Sequence, residues 1–333
     1  MGRRPRAVEG LGVSHWSGSR VLLTGHTGFK GAWAARWLAG YGAQVTGLSL
    51  PPPPGPNLFD MLGTGHLVAS HLVDLRDLSA VERVVRDCQP DLVLHMAAQP
   101  LVRASYGDPV GTFGSNVMGT VHLLDALRRL AKPRAILIVT SDKVYANDGS
   151  GRAYSESDQL GGHDPYSASK AATEIIAASY RGSFFASAGI PLVTARGGNV
   201  IGGGDYSADR LVPDIVRALS QNEPVSLRNP GATRPWQHVL DCLDGYFAYL
   251  SALAAGQDLP SALNFGPTPE TKPFTVAELA NALQIAMGRP AAFQLDQNDG
   301  PHEMPKLSID PARAMDVLGW RPRSNEEAIL ASA

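Results

Sequence analysis

At 333 residues, with 44% hydrophobic and 18% charged side chains, the chain is longer than one ordinary core needs and too apolar for disorder, so two lobes are expected. A formal net charge of −2 argues against nucleic acid or an anionic membrane as the main partner. The two cysteines, Cys88 and Cys242, exclude a disulfide scaffold and suit a reducing cytoplasm; no Cys or His spacing points to a metal, and no apolar run reaches the ~18 residues of a membrane span.

The start, Met1 to Gly12, carries Arg3, Arg4 and Arg6 with no apolar signal-peptide core behind them, and residues 1–15 are expected to be a disordered extension. Strand and helix signals then alternate. Val21 to Thr24 reads as a short buried strand, and Trp33, Trp37 and Leu38 recur at helical spacing. Gln44 to Leu50 is a second strand, stopped by the breaker Pro51 to Pro54. Leu72 to Asp74, Asp91 to Met96, Ala135 to Thr140 and Pro191 to Arg196 are further strand candidates, with helices between them, notably Thr112 to Arg129 and Ser167 to Ser187. Short apolar strands separated by helices predict an α/β, Rossmann-type, doubly wound parallel sheet. After Arg196 the pattern changes: Gly202 to Gly204 and a loop, a helix near Leu211 to Leu219, a strand near Val225 to Leu227, and helices near Asp241 to Leu253 and Val276 to Met287. This division predicts a nucleotide-binding domain over 16–196 and a smaller, partly interwoven lobe over 197–333, with 236–262 a candidate to pack back on the first.

Three glycines, Gly25, Gly28 and Gly31, fall between the first strand and the first helix, where backbone N–H groups must approach a pyrophosphate. The second strand ends in Leu48-Ser49-Leu50, with neither an acid for the adenosine ribose nor a nearby Arg for a 2′-phosphate. NAD is therefore favoured only through the missing phosphate clamp. Asp74 is a candidate acceptor for the adenine amino group, or equally the N-cap of the next helix.

Tyr166 and Lys170 stand four apart at the start of a helical pattern, on one face, where the ammonium should lower the phenol's pKa and fit it to act as a base. Ser141, at the end of a strand, is placed to share the proton that Tyr166 takes.

Together Gly25/Gly28/Gly31, Ser141 and Tyr166/Lys170 resemble the extended short-chain dehydrogenase/reductase family. That resemblance implies NAD as cofactor, contacted through Gly25, Thr27, Gly28, Phe29, Gly31, Asp74, Ala97, Ala98, Tyr166 and Lys170. It also marks Asn116 as the helix asparagine that orders a proton-relay water, against the plainer reading of a locally satisfied helix residue. A narrower resemblance, to the CDP-glucose 4,6-dehydratases, rests on His95 to Arg103, the turn Gly25 to Gly31 with His26 and Lys30, Gly161 to Tyr166, Gly198 to Asp205, and Arg234 to His238. It extends from about Trp16 to Pro322, although relatives continue through a further helix and often have Thr at Ser141 and Cys at Val144.

The implied chemistry is oxidation of the sugar at C4, loss of water across C5 and C6, and return of the hydride to C6. By analogy Asp142 protonates the departing C6 hydroxyl and Lys143 removes the C5 proton, roles that call for a raised and a depressed pKa respectively. The alternative for Lys143 is a strand-end lysine paired with Asp142. Neighbours on a strand face opposite sides, so both reach the sugar only if the strand has already turned. For the nucleotide diphosphate, Arg234, Arg210 and Arg228 are the preferred clamps, with Asn199, Arg103 at the sugar mouth, and His302 with Glu303 in a loop near the nucleotide; each Arg has the alternative of a solvated surface position. The competing functions are a 4-epimerase or a dehydratase for another nucleotide sugar, against which the Asp142–Lys143 pair argues, and a non-catalytic nucleotide-sugar or NAD-binding protein, against which Tyr166 and Lys170 argue. A cytoplasmic homodimer is what the resemblance implies, joined through Thr112–Arg129 and Ser167–Ser187, with intramolecular core as the equal alternative for the apolar faces of those helices.

Overall fold

A computed structural model describes residues 16–268, 270–271, 274–296, 304 and 306–324. Its first half is a repeated strand–helix unit. β1 (Arg20–Thr24) runs into α1 (Phe29–Gly40), whose alanines Ala32, Ala34 and Ala35 let the helix lie close on the sheet. β2 (Gln44–Ser49) leads through the proline loop to the short α2 (Leu58–Met61) and β3 (Ala69–Leu72). α3 (Leu78–Cys88) is capped by Asp77, whose carboxylate accepts from Ala80 N, and it buries Val81, Val84 and Val85 at helical spacing. β4 (Leu92–His95) is followed by α4 (Val102–Gly107), α5 (Pro109–Phe113) and α6 (Gly119–Leu130). β5 (Ala135–Val139) and β6 (Leu192–Gly197) flank α7 (Pro165–Tyr180).

The remaining elements are β7 (Val200–Ile201), α8 (Leu211–Ser220), β8 (Ser226–Leu227), β9 (Gln237–His238), α9 (Val239–Ala254), β10 (Ala262–Phe265), α10 (Val276–Ala286), β11 (Gln294–Leu295) and α11 (Ala312–Leu318). Seven strands form one parallel sheet in the order β10-β6-β5-β4-β1-β2-β3. One apolar layer, with Trp16, Leu38, Phe247 and Leu250, covers one face; another, with Val81, Leu123, Leu127 and Phe185, covers the other. The order reverses between β1 and β4, so a crevice opens beyond their carboxyl ends.

The structure moves several expected boundaries. The third strand is Ala69–Leu72, so Val73 and Asp74 lie beyond its end. Asp77, not Asp74, caps α3; the Asp74 carboxylate instead accepts from Arg76 N at 2.9 Å and pairs with the Arg76 guanidinium at 2.6 Å. The helix expected from Thr112 starts at Pro109 and is interrupted by a π segment, Gly114–Met118. β10 was not among the expected strands. It pairs with β6 as an edge of the main sheet, and α9 packs against β4 and β5, so chain from the second half completes the first. A separate core of Val212, Ile215, Trp236, Leu279 and Leu283 holds the second lobe together.

Candidate active site

The turn from β1 to α1 builds a dinucleotide cradle. Gly25 has φ +80, and a Cβ there would approach Ala97 N to 2.8 Å. A Cβ on Gly31 would lie 1.9 Å from the Gly25 carbonyl oxygen. Only glycines let the turn close this tightly on itself and on the end of β4, leaving backbone amides and the N-terminus of α1 facing the crevice. Gly28 caps α1 without a side-chain bond. The Thr27 hydroxyl bonds Ser49 Oγ at 2.7 Å and donates to Leu50 O at 2.9 Å, stitching the turn to the end of β2 where an acid is missing. Thr24 Oγ1 accepts from Met96 N and Ala97 N and bonds His95 Nδ1 at 2.6 Å, which draws Ala97 and Ala98 to the same rim. This cradle fits the diphosphate and ribose of NAD.

β5 ends at Val139, and Asp142–Val144 is a single 3₁₀ turn capped by Ser141, whose Oγ accepts from Lys143 N at 3.2 Å. The strand has therefore turned before Asp142, so neither it nor Lys143 is bound by strand alternation. Ser141 Oγ donates to Asp142 Oδ1 at 2.9 Å, while Asp142 Oδ2 is buried with no hydrogen-bond partner. Lys143 lines a pocket shared with Val102, Tyr145, Asn147, His163 and Asp164. Asp164 caps α7 by accepting from Ser167 N at 2.9 Å, and Pro165 fixes its first turn, which sets Tyr166 and Lys170 on the buried face.

The phenol of Tyr166 does not show the expected depression. Burial pushes it up to about 12, outweighing the Ser141 hydroxyl and the Arg210 charge, which pull it down. Lys170 is the group moved towards neutrality: burial first, then the charge of Lys30, lowers it to about 8 against the pull of Glu174. Its ammonium donates to Val139 O at 3.2 Å. Asn116, in the π segment, donates to Gln99 O at 3.1 Å and Ser169 Oγ at 2.8 Å and accepts from Gln99 N at 2.7 Å. These bonds use both amide hydrogens to hold α7 to the loop after β4.

Beneath the pair lies a buried network that the sequence reading missed. Glu174, one turn beyond Lys170, accepts from Thr140 Oγ1, Thr194 Oγ1 and Arg196 Nη2. Arg196 Nη1 also donates to Tyr145 Oη at 3.0 Å, and Tyr145 donates to Asn264 Oδ1 at 2.6 Å. Helical spacing from Lys170 was the one clue that could have found Glu174.

Of the expected cations, Arg103 and Arg228 converge on Asp209, at 3.2 and 3.3 Å. Arg210 follows directly and lies near enough to act on Tyr166. Asn199 sits between β6 and β7, its carbonyl accepting from Gln237 N. Arg234 is buried and donates to Thr233 O at 2.9 Å. His302 and Glu303 lie outside the described residues.

The chain matches the model of the NAD dependent epimerase/dehydratase family over residues 21–266 and belongs to that family. It is 43% identical to a CDP-glucose 4,6-dehydratase of Salmonella typhimurium, over 92% of this chain and 87% of that one. A dTDP-glucose 4,6-dehydratase of Xanthomonas campestris is 28% identical over 90% and 88%. Among solved structures, a Thermus thermophilus UDP-glucose 4-epimerase complexed with NAD matches with a TM-score of 0.80 at 26% identity, over 94% of this chain and 97% of that one. A dTDP-glucose 4,6-dehydratase from Streptomyces venezuelae shares the fold, with a TM-score of 0.81 at 24% identity over 94% of each chain.

Proposed function

We propose that this chain is an NAD-dependent hydro-lyase that converts CDP-D-glucose to CDP-4-dehydro-6-deoxy-D-glucose. One arrangement carries the reading: a turn offering a carboxyl and an amine, Asp142 and Lys143, adjoins Ser141 and a buried Tyr/Lys pair. An epimerase or simple dehydrogenase needs only the latter pair. The base specificity rests on the similarity to the Salmonella enzyme.

NAD, held by the turn 25–31 and Lys170, would supply a reversible hydride acceptor at the sugar, leaving loss of water as the net change. Tyr166 takes the C4 hydroxyl proton, with Ser141 bridging phenol and sugar. A phenol raised to about 12 by burial needs help at that moment, which the Ser141 hydroxyl and the Arg210 charge offer. Lys170 also holds the nicotinamide ribose. The ketone acidifies C5; Lys143 removes that proton and Asp142 protonates the C6 hydroxyl as it leaves. The unpartnered Asp142 Oδ2 offers a vacant contact for that hydroxyl. Arg103, Arg210 and Arg228 bind the diphosphate, with Asn199, Arg234 and His302 completing the nucleotide site. Asn116 keeps α7 in register with the loop after β4. A homodimer through α5, α6 and α7 is supported by exposed apolar side chains on and beside them: Val110 and Phe113 on α5, Met118 just before α6, Ile175 on α7 and Phe184 just beyond it. Two free thiols suit a cytoplasmic setting.

The test is mass spectrometry of the protein incubated with NAD and, separately, CDP-glucose, dTDP-glucose, UDP-glucose and GDP-mannose. Loss of one water from CDP-glucose alone is the expected result. Loss from another sugar nucleotide would refute the base assignment, and no water loss from any of them would refute the reaction.

A further inference from the structure

A run of buried hydrogen bonds joins the glycine turn to α7, and donor counts decide its polarity. Thr24 Oγ1, at the end of β1, accepts from Met96 N at 3.1 Å and from Ala97 N at 3.0 Å. A hydroxyl has two lone pairs and one proton, so with both lone pairs engaged that proton goes to the remaining partner, His95 Nδ1, at 2.6 Å. His95 Nδ1 is therefore the bare nitrogen, and Nε2 carries the hydrogen. Nε2 donates to Thr120 Oγ1 at 3.0 Å, and the Thr120 hydroxyl in turn donates to Asn116 O at 2.7 Å. Asn116 Nδ2 continues the run to Ser169 Oγ at 2.8 Å, and Ser169 donates to Tyr166 O at 2.7 Å.

Thr24, His95, Thr120, Asn116 and Ser169 are all buried, so no solvent stands ready to replace a partner that is lost. Burial first, then the charge of Lys170, lowers the imidazole to about 3 and keeps it neutral. A protonated ring would turn a second N–H against the Thr24 hydroxyl. Thr24 ends the strand from which the glycine turn springs, and Ser169 stands between Tyr166 and Lys170 in α7. His95, at the end of β4, is the junction between these two parts of the site.

We propose that His95 is a positioning residue: as the neutral Nε2–H tautomer it sets α7 at a fixed distance from the dinucleotide turn, and so places Tyr166 and Lys170 against cofactor and sugar.

The inference rests on the NAD-dependent dehydratase reading, and two measurements keep them apart. Nitrogen NMR of protein carrying labelled histidine, with His95 identified among the nine by its absence in His95→Asn, reads the tautomer without cofactor or turnover. A bare Nδ1 and a protonated Nε2 at neutral pH are expected; the opposite tautomer or an imidazolium overturns the inference whatever the activity. Thr120→Val cuts the next link at nearly constant volume. It is expected to lower kcat about 10- to 100-fold, the scale of a small misplacement of reacting groups, while KM for CDP-glucose and the calorimetric affinity for NAD hold. Thr120→Ser, which returns the hydroxyl, is expected to restore kcat. Unchanged kcat in Thr120→Val, or a loss that Thr120→Ser does not repair, marks a packing role and overturns the inference alone. Absence of water loss from every sugar nucleotide in the unaltered chain overturns the dehydratase reading, and the positioning role falls with it.

Discussion

Glu174→Gln changes one atom and tests whether the buried network under the site is ionic. Glu174 and Arg196 are 4% and 6% exposed, with 2.8 Å between Oε2 and Nη2. Three donors point at this carboxylate: Thr140 Oγ1, Thr194 Oγ1 and Arg196 Nη2. An amide keeps one acceptor oxygen for Thr194 Oγ1 and Arg196 Nη2, and its NH₂ turns the Thr140 hydroxyl from donor to acceptor, but the guanidinium loses its counter-charge. Burial alone would lower the Arg196 pKa, but Glu174 outweighs it and raises it. Breaking one partner of such a pair costs about 3–5 kcal/mol. With roughly 2.1 cal/mol/K of unfolding entropy per residue, a chain of 333 residues loses about 1.4 °C of Tm per kcal/mol, hence a fall of about 4–7 °C. Urea unfolding followed by tryptophan fluorescence would measure the loss as a lower midpoint at unchanged slope. Glu174→Leu combined with Arg196→Met should recover most of it, because no charge is then left buried alone. A loss under about 1 kcal/mol for Glu174→Gln, or a double variant as poor as the sum of the singles, would refute the reasoning.

Lys143→Met is expected to leave reduction of NAD detectable by absorbance on adding CDP-glucose while abolishing water loss; equal loss of both would remove Lys143 as the C5 base. Gly31→Ala should weaken NAD binding by at least about tenfold, since its Cβ can be placed only by opening the turn that cradles the diphosphate; calorimetry would show it, and near-normal binding would refute the cradle. His95 and His26 are lowered by burial to about 3 and about 4, so both stay neutral in the fold while the unfolded chain takes up protons near pH 6.5. Their stabilisation is complete above pH 6.5 and is lost as pH falls towards 4 and then 3. Urea midpoints at pH 7 and pH 5 should therefore differ, and less so in His95→Asn.

The glycine turn, the Tyr166/Lys170 pair and the alternation of strands and helices were legible in the sequence because each is a local matter: a backbone that admits no Cβ, two residues on one helix face, an apolar run bounded by breakers. Bulk patterning gave the sheet, but not β10, because a four-residue strand carries little periodic signal and its place beside β6 is fixed by a return of the chain from the second lobe. The same limit hid the partnership of Glu174 with Arg196 and the convergence of Arg103 and Arg228 on Asp209, which join residues far apart in the chain. The direction of the Tyr166 shift departs from the sequence expectation for a related reason. A lysine four residues away is visible in a sequence, whereas the burial that raises the phenol exists only once the sheet, α7 and the second lobe have closed around it. Sequence determined which groups are present and which helix face they share; tertiary structure decided how dry they are and what faces them, because dielectric and distance depend on every element that packs nearby.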